Sequence, residues 1–240
     1  MKNLKIIGYV ESCYIDKFGT PRQPGLVSSS FAKITLSPEV QPEESLQGLE
    51  DFSHIWVLFH FHQNANKRFH AKVHPPRLLG KTKGVFATRS PHRPNPIGLS
   101  LLKLEKVEAS TIYVSGIDLV DGTPVLDIKP YLPQVEAVPE ASPGWSENVE
   151  NQEISITFSH EALNSLMQME SDHPAVNVQA LIEDTLKLDP RPVVYRGFEG
   201  ADGSPYRSQH AIRLMGYDIH FCFEKTDFIK VLKIMIVIPE

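Results

Sequence analysis

The chain has 240 residues, of which 41% are hydrophobic and 22% are charged, with a formal net charge of -5, a composition ordinary for a soluble globular protein of one large or two small domains. Its two cysteines, Cys13 and Cys222, are far apart and outside any C-x-x-C spacing, which argues against a disulfide framework and a cysteine-rich zinc site. The apolar run before Glu11 is too short for a signal peptide or a membrane span, so we expect a cytoplasmic protein with no membrane partner.

The first half of the chain is predicted to be rich in β-strands. Short apolar or alternating segments follow one another without helical repeats between them: KIIGYV, AKITL, SHIWVLFHFHQ, GVFA, LSLLKLEKVEAS, TIYVSGIDLV and VLDIKPYL. Strands spaced this closely are typical of an antiparallel barrel or sandwich. Helix is expected here only in pieces, for example around PEESLQGLE.

The segment SHIWVLFHFHQ separates its side chains by parity. One set is entirely apolar and is expected to face a core: Ile55, Val57, Phe59 and Phe61. The alternate residues from His54 to His62 form a mixed, more polar side. In this interpretation His60 and His62 point to the same side of one strand.

A change of composition marks a second domain. The run PQVEAVPEASPGWSENVENQ is acidic and rich in Pro, Ser and Gly, as linkers are. Helical and then strand patterns follow, and YDIHFCFE with FIKVLKIMIVI predicts a β-hairpin. We therefore predict an α+β protein with an antiparallel β-barrel over residues 1–135, a linker over 136–151 and a small α+β domain over 152–240.

A helix is predicted within AVNVQALIEDTLKL. Four apolar residues recur there at helical spacing: Val178, Leu181, Ile182 and Leu186. The helix should stop at Asp189, because Pro190 disfavours helical geometry in the residue before it.

The stretch VFATRSPHRPNPIGLS combines two arginines, a histidine and three prolines with no acidic residue. It lies in a longer region, residues 52–104, that has no Asp or Glu but nine of the 24 basic residues, so one face of the molecule should be positive. Prolines fix φ and lack an N–H, so the loop is a preformed rim. Arg89, Arg93 and Asn95 on this rim suit an anion clamp, nucleic acid being the commonest macromolecular anion. The alternative is a proline-braced loop whose arginines cap a neighbouring carboxylate.

Two shorter motifs each keep more than one interpretation. PRQPG places Arg22 and Gln23 between prolines, but alone it is equally a surface turn. The spacing of His60 and His62 is one that zinc sites use, yet no third ligand is convincingly placed. A general base or a hydrogen-bonded histidine are the alternatives.

Acidic residues of DLVDGTPVLDIKPYLP could hold magnesium or act as paired acids. We prefer a hairpin turn at Asp121-Gly122, with Asp127 pairing with Lys129 on one strand face. Asp118 is the third carboxylate of this segment.

The segment DPRPVVYRG follows the predicted helix directly. Its arginines suit contact with phosphate, and its tyrosine suits stacking on a base. The alternative is a segment that ends the helix and packs its tyrosine against the protein.

Signatures of several large enzyme classes are missing from the sequence. It has no G-x-G-x-x-G after a strand, no G-x-x-x-x-G-K-[ST], no G-x-S-x-G and no H-E-x-x-H. A Rossmann cofactor site, a P-loop, a hydrolase elbow and a common zinc protease are therefore disfavoured. The residues alone indicate a β-rich protein with a rigid basic pocket for an anionic or zwitterionic ligand.

Five segments in this order resemble the TsaA-like family: IGYVESCY, PRQPG, GLEDFSHIWVLFHFHQ, GVFATRSPHRPNPIGLS and DLVDGTPVLDIKPYLP. With the DPRP element, the chain looks like the bacterial tRNA methyltransferases of that family. The resemblance covers nearly all of the first domain and reaches the second. Cys13 departs from the family pattern, which usually has a proline there, and this affects only a turn at the end of a strand.

The resemblance implies a small β-barrel that binds S-adenosylmethionine without a Rossmann fold, in a homodimer with cofactor sites near the subunit interface. It also implies methyl transfer to the N6 nitrogen of N6-threonylcarbamoyladenosine, next to the anticodon of a threonine tRNA. Carried over by motif, the expected cofactor contacts are Pro21, Arg22, Gln23, His62, Gln63, Arg89, Leu99, Leu119, Val120, Asp121 and Gly122.

The remaining expected roles concern the acceptor. We hypothesise that His62 or a nearby carboxylate helps to remove the proton of the acceptor nitrogen, although positioning alone supplies much of the acceleration in such transfers. Arg93 is expected to pair with the carboxylate of the substrate. The other expected substrate or tRNA contacts are Asn95, Asp189, Arg191 and Tyr195, and no metal is expected.

Two further hypotheses come from other functional classes. A regulatory or RNA-binding module that kept the barrel and lost catalysis would retain cofactor affinity without turnover. A metal-dependent hydrolase built on His60 and His62 would contain metal after purification.

Overall fold

A computed structural model of the chain describes residues 4–64, 69–75, 78, 81–147, 153–191, 196 and 208–237. The chain divides into two compact units, and both are discontinuous in sequence. The first unit takes residues 1–11, 33–114 and 122–151, and the second takes 12–32, 115–121 and 152–240. Each domain predicted from the sequence, by contrast, is one continuous segment of the chain.

The first unit is organised around a closed β-barrel, which confirms the predicted architecture. The elements up to residue 136 are β1 (Gly8–Ser12), β2 (Phe31–Leu36), α1 (Pro42–Ser45), β3 (His54–His60), β4 (Lys72–Val73), β5 (Lys83–Gly84), β6 (Ile97–Glu108), β7 (Thr111–Ser115), β8 (Pro124–Pro130) and α2 (Pro133–Glu136). The barrel strands are joined in the order β1-β2-β7-β6-β3-β8, and β8 pairs with β1 to close the ring.

Strand β3 shows why the barrel forms from this sequence. Ile55, Val57 and Phe59 are buried, and the residues between them are partly exposed, as their alternation predicts. The strand pairs with β6 on one side and with β8 on the other, both antiparallel. Its inward side chains therefore fill the barrel core, and Asp127 and Lys129 of β8 form the expected ion pair at 2.8 Å.

The end of β3 differs from the sequence-based expectation. The strand stops at His60, and the N–H of His62 donates to the carbonyl of His60 over 2.8 Å, which turns the chain away. His62 is therefore not on the strand with His60, and the predicted H-x-H face is wrong. Phe61 is only half-buried and packs edge-on against Phe59 at a centroid distance of 5.1 Å.

The second unit contains a four-stranded sheet with two helices. The elements from residue 153 onward are β9 (Ser155–Phe158), α3 (His160–Asp172), α4 (Val178–Lys187), β10 (Gln209–Leu214), β11 (Tyr217–Lys225) and β12 (Phe228–Ile236). The strand order is β10-β11-β12-β9, and β9 runs parallel to β12. The β11-β12 hairpin confirms the prediction. Among the described residues, no helix is long and apolar enough to cross a membrane.

Helix α4 buries the four residues that its sequence spacing predicts: Val178, Leu181, Ile182 and Leu186. Asn177 caps its first turn by accepting a hydrogen bond from the N–H of Ala180 over 3.0 Å. The helix ends at Lys187, and Asp189 has a left-handed φ of 45°, so the chain leaves the helical path before Pro190.

Buried contacts explain why residues 12–32 belong to the second unit. Tyr14 lies fully buried and shares a hydrogen bond of 3.2 Å with Thr185 of α4, which is also fully buried. Burial raises the pKa of Tyr14 well above its usual range, so the phenol stays protonated. Ser29 donates to Asp184 over 3.1 Å, and the N–H of Met215 donates to the carbonyl of Cys13 over 2.9 Å.

Replacement of Tyr14 by Phe is expected to lower the free energy of unfolding by about 1 to 2 kcal/mol, because it leaves the Thr185 hydroxyl without its buried partner. Thr185→Val should cost a similar amount, and the double variant less than the sum. Urea unfolding measures all three. Tyr9→Phe is the matched control, since Tyr9 is 54% exposed, and it should change stability by less than about 0.5 kcal/mol. Equal effects of Tyr14→Phe and Tyr9→Phe would contradict this account.

Candidate functional site

A basic loop, defined here as residues 85–96, leads into β6 at one end of the barrel. The N–H of Phe61 donates to the carbonyl of Pro96 over 2.8 Å, and the side-chain amide of Asn64 donates to the carbonyl of Pro91 over 3.1 Å. These bonds tie the loop to the segment that follows β3. His62 and Gln63 lie in that segment, both exposed.

Arg93 holds the basic loop together from within. Its Nη1 donates to the carbonyl of Thr88 over 2.8 Å and to that of Val85 over 3.3 Å. Its guanidinium also lies 5.7 Å from the ring centre of Phe86. Arg93 thus braces the short 3-10 turn at residues 85–87. This agrees in part with the alternative of a proline-braced loop whose arginines bond within the protein, but the acceptors are backbone carbonyls and not a carboxylate.

Arg89 and Asn95, the other two polar residues singled out on the basic loop, are exposed. Arg89 comes two residues after the turn at residues 85–87, so the turn restrains where its side chain begins. No acidic side chain belongs to the loop. The loop therefore presents cationic and amide groups to solvent on a backbone that its own hydrogen bonds restrain.

The turn before β8 lies at the same end of the barrel. Gly122 has a φ of +71°, and a Cβ built on it would lie 4.0 Å from Nε2 of His62. His62 and Gly122, two of the predicted cofactor contacts, are therefore neighbours in the first unit. Leu99 of β6, another predicted cofactor contact, is 50% exposed.

The other predicted cofactor contacts belong to the second unit. Arg22 is exposed, Gln23 is half-buried and donates from its side-chain amide to the carbonyl of Arg22, and Pro21 is buried. Leu119 is 1% exposed, so its side chain is part of the core. A contact of Leu119 with a ligand would have to come from its backbone.

Ser12 is a residue that sequence reasoning missed. Its hydroxyl donates to the carbonyl of Leu119 over 2.6 Å, and its N–H donates to Oδ1 of Asp121 over 2.8 Å. The same hydroxyl accepts from the N–H of Tyr14 over 3.0 Å. Ser12 thus fixes the run from Leu119 to Asp121. A serine directly before a turn at a strand end is the signal that could have indicated such a role.

Cys13, next to Ser12, is not a nucleophile in this structure. It is buried, and this burial raises the pKa of its thiol to about 12. Its side chain is therefore protonated at neutral pH and acts as a small apolar group of the core.

Asp189 and Arg191 form an internal ion pair. Nε of Arg191 lies 2.9 Å from Oδ1 of Asp189, and its Nη2 donates to Oδ2 over 3.1 Å. The guanidinium is buried and stacks on Phe223, and Arg196 adds a second cation 3.0 Å from the same carboxylate. In this conformation Arg191 does not face solvent, and its role as a tRNA contact stays a prediction. Tyr195 lies outside the described residues.

Within the described ranges, no group of three or more His, Cys, Asp or Glu side chains could hold a metal ion. The end of the barrel in the first unit offers a cation at Arg89, polar groups at His62 and Gln63, and an exposed apolar side chain at Leu99. These are groups that suit a zwitterionic ligand.

Two sequence models of one family match the chain. The tRNA-methyltransferase O N-terminal domain matches residues 9–137, and the TrmO C-terminal domain matches residues 151–236. The first match contains the barrel and the basic loop.

Curated relatives and a solved structure agree with these matches. The chain is 41% identical over 241 residues to Pseudomonas aeruginosa RcsF, named as an S-adenosylmethionine-dependent methyltransferase, with 95% of each chain covered. It is 42% identical over 198 residues to the tRNA (adenine(37)-N6)-methyltransferase of Escherichia coli, covering 80% of this chain and 83% of the relative. A crystal structure of TrmO superposes with a TM-score of 0.79 at 37% identity, covering 98% and 99% of the two chains. The mammalian relatives are longer, and the chain spans 40% or less of their length.

Ser12→Ala removes the bonds of the hydroxyl to Leu119 and to Tyr14. We expect the free energy of unfolding to fall by about 1 to 3 kcal/mol, because the partly buried groups lose their partners. Chemical denaturation measures this change. Ser28→Ala, at an exposed position, serves as the control and should stay within about 0.5 kcal/mol of the parent chain. A Ser12 variant as stable as the Ser28 variant would refute the anchoring role.

Proposed function

Because this chain belongs to the tRNA-methyltransferase O family, we propose that it transfers the methyl group of S-adenosylmethionine to the N6 nitrogen of adenosine 37 in tRNA. The observation that carries the proposal is that both domains of the family match this one chain, the first of them over the barrel and the basic loop. The relatives named for this reaction and for this cofactor support it.

The acceptor in this proposal is N6-threonylcarbamoyladenosine of a threonine tRNA. Its threonyl group ends in a carboxylate, and a planar guanidinium is the side chain best suited to bind one. Arg93 is our choice for this contact. Its Nη1 already bonds to two backbone carbonyls of the basic loop, which holds the guanidinium in one orientation. Asn95 on the same loop is proposed to bind the modified nucleoside.

The residues present fit S-adenosylmethionine, which supplies an electrophilic methyl group on a sulfonium. A carboxylate and an amine need a cation and acceptors, and the adenine needs an apolar or stacking wall. In the first unit Arg89, Gln63 and Leu99 offer these groups. The second unit offers a cation at Arg22 and hydrogen-bonding groups at Gln23 and along the run from Leu119 to Asp121. Gly122 has no side chain, and a Cβ built on it would lie 4.0 Å from Nε2 of His62. The glycine therefore leaves the space of one methyl group open beside the imidazole.

The reaction forms an N–CH3 bond and breaks the S–CH3 bond, while the acceptor nitrogen loses its proton. That nitrogen is acylated and is a poor nucleophile, so removal of its proton assists attack. His62, exposed beside Gly122, is proposed to accept the proton. The restrained basic loop is proposed to hold the acceptor in line with the methyl group. Fixing this orientation lowers the entropic part of the activation barrier and contributes much of the acceleration.

A homodimer is part of the proposal. Apolar side chains exposed at the loop end of the barrel support it, namely Phe86 at 75%, Leu99 at 50% and Ile97 at 37%. The proposed tRNA substrate supports a cytoplasmic location, which is part of the proposal. A non-catalytic module that binds S-adenosylmethionine and RNA is the alternative.

Methyl transfer is tested with labelled S-adenosylmethionine and bulk tRNA, with and without the threonylcarbamoyl modification. We expect label on the modified tRNA alone, because the substrate's carboxylate is needed for binding. Transfer to both tRNAs would contradict the proposed acceptor. No transfer to either, with the cofactor bound, would favour the non-catalytic module.

Two arginine variants separate the proposed contacts. Arg89→Ala should raise the Michaelis constant for S-adenosylmethionine about 10- to 100-fold, the usual effect of losing a charged hydrogen bond. Arg93→Ala should raise the Michaelis constant for modified tRNA by a similar factor and that for S-adenosylmethionine by less, because Arg93 also braces the turn before Arg89. Steady-state kinetics with one substrate saturating resolves the two. Normal activity of Arg93→Ala at limiting tRNA would show that Arg93 does not bind the substrate.

A further inference from the structure

The acidic segment that sequence composition marks as a linker makes a specific contact with the basic loop. Residues 144–146 form a 3-10 turn, and Nε1 of Trp145 donates to the carbonyl of Ala87 over 2.7 Å. Both residues belong to the first unit. Trp145 lies between the two family matches, which end at residue 137 and begin at residue 151.

The carbonyl of Ala87 lies in the basic loop between two carbonyls that already accept hydrogen bonds. The carbonyls of Val85 and Thr88 accept from Arg93, and that of Val85 also accepts from the hydroxyl of Thr88 over 2.8 Å. Trp145 therefore adds the bond that the loop itself does not make. Arg89 begins two residues after this carbonyl, so its backbone position depends on the same turn.

The turn that carries Trp145 is closed by its own hydrogen bonds. The hydroxyl of Ser146 donates to the carbonyl of Pro143 over 2.7 Å, and Gly144 has the left-handed φ of 61° that a glycine adopts without strain. A preformed turn loses little conformational entropy when it presents the indole. The contact is thus a built feature and not the chance approach of an extended chain.

We propose that Trp145 is a positioning residue that straps the basic loop and so fixes Arg89 for binding S-adenosylmethionine. The indole N–H acts on the cofactor only through the loop. The role of Arg89 in this inference rests on the proposed function, whereas the strap itself does not.

Trp145→Phe tests the strap, because it keeps an aromatic ring and removes the donor. Hydrogen exchange of the free protein should be faster at the amides of residues 85–93 than in the parent chain. Calorimetric affinity for S-adenosylmethionine should fall about five-fold, the usual net value of one such bond. The Michaelis constant for the cofactor should rise by the same factor with kcat changed less than two-fold.

Trp56→Phe is the matched control. Its indole N–H also donates to a side-chain oxygen, Oε1 of Glu136 in α2, over 2.9 Å, but from the first half of β3, away from the end that meets the basic loop. It should leave loop exchange and cofactor affinity unchanged. Trp145→Leu, with the same expected loss of the donor, guards against an effect of ring size.

Unchanged exchange at residues 85–93 in both Trp145 variants would overturn the strap. Faster exchange with unchanged cofactor affinity would overturn the link to Arg89. A loss of affinity in Trp56→Phe equal to that in Trp145→Phe would show a general destabilisation and would also overturn the proposal. If no methyl transfer occurs at all, the proposed function fails, but the exchange measurement still decides the strap.

Discussion

The register between β3 and β6 is the constraint on which the rest of the first unit depends. Phe59 pairs with Gly98, and a Cβ on that glycine would lie 2.2 Å from the Phe59 ring. The ring occupies the space where a side chain would stand, so the pairing cannot shift by one residue without a clash. This register sets where β3 stops and β6 starts. It therefore sets the distance between His62 and the basic loop, which the bond from Phe61 to Pro96 then closes.

The parts of the fold that follow local patterns were predictable from the sequence. Alternation in β3 and the helical spacing of α4 both report which side of an element is buried, and the structure confirms both. The end of β3 was not predictable. His60, Phe61 and His62 continue the alternation in sequence, but the hydrogen bond from the N–H of His62 to the carbonyl of His60 turns the chain there. A turn of this kind overrides the local period and leaves no mark in the apolar pattern.

The candidate site shows the same division. Arg89, Arg93 and Asn95 stood out because prolines and the absence of acids mark their loop, and the structure places them on one restrained segment. The sequence could not show that the guanidinium of Arg93 donates hydrogen bonds to carbonyls of its own loop. Nor could it show Trp145, whose partner is 58 residues away and whose surroundings have the composition of a linker. Contacts between side chains and distant carbonyls leave no periodic signal.

The exchange of segments between the two units has a consequence for how this protein can evolve. Thr185 and Asp184 of α4 find their partners on residues 12–32, far upstream in the chain. A gene fragment that encodes residues 152–240 would carry the helix but not Tyr14, so the recombined product would expose an apolar surface and an unpaired hydroxyl. Residues 152–240 are therefore not a self-contained module, because helix α4 finds its buried partners on residues 12–32.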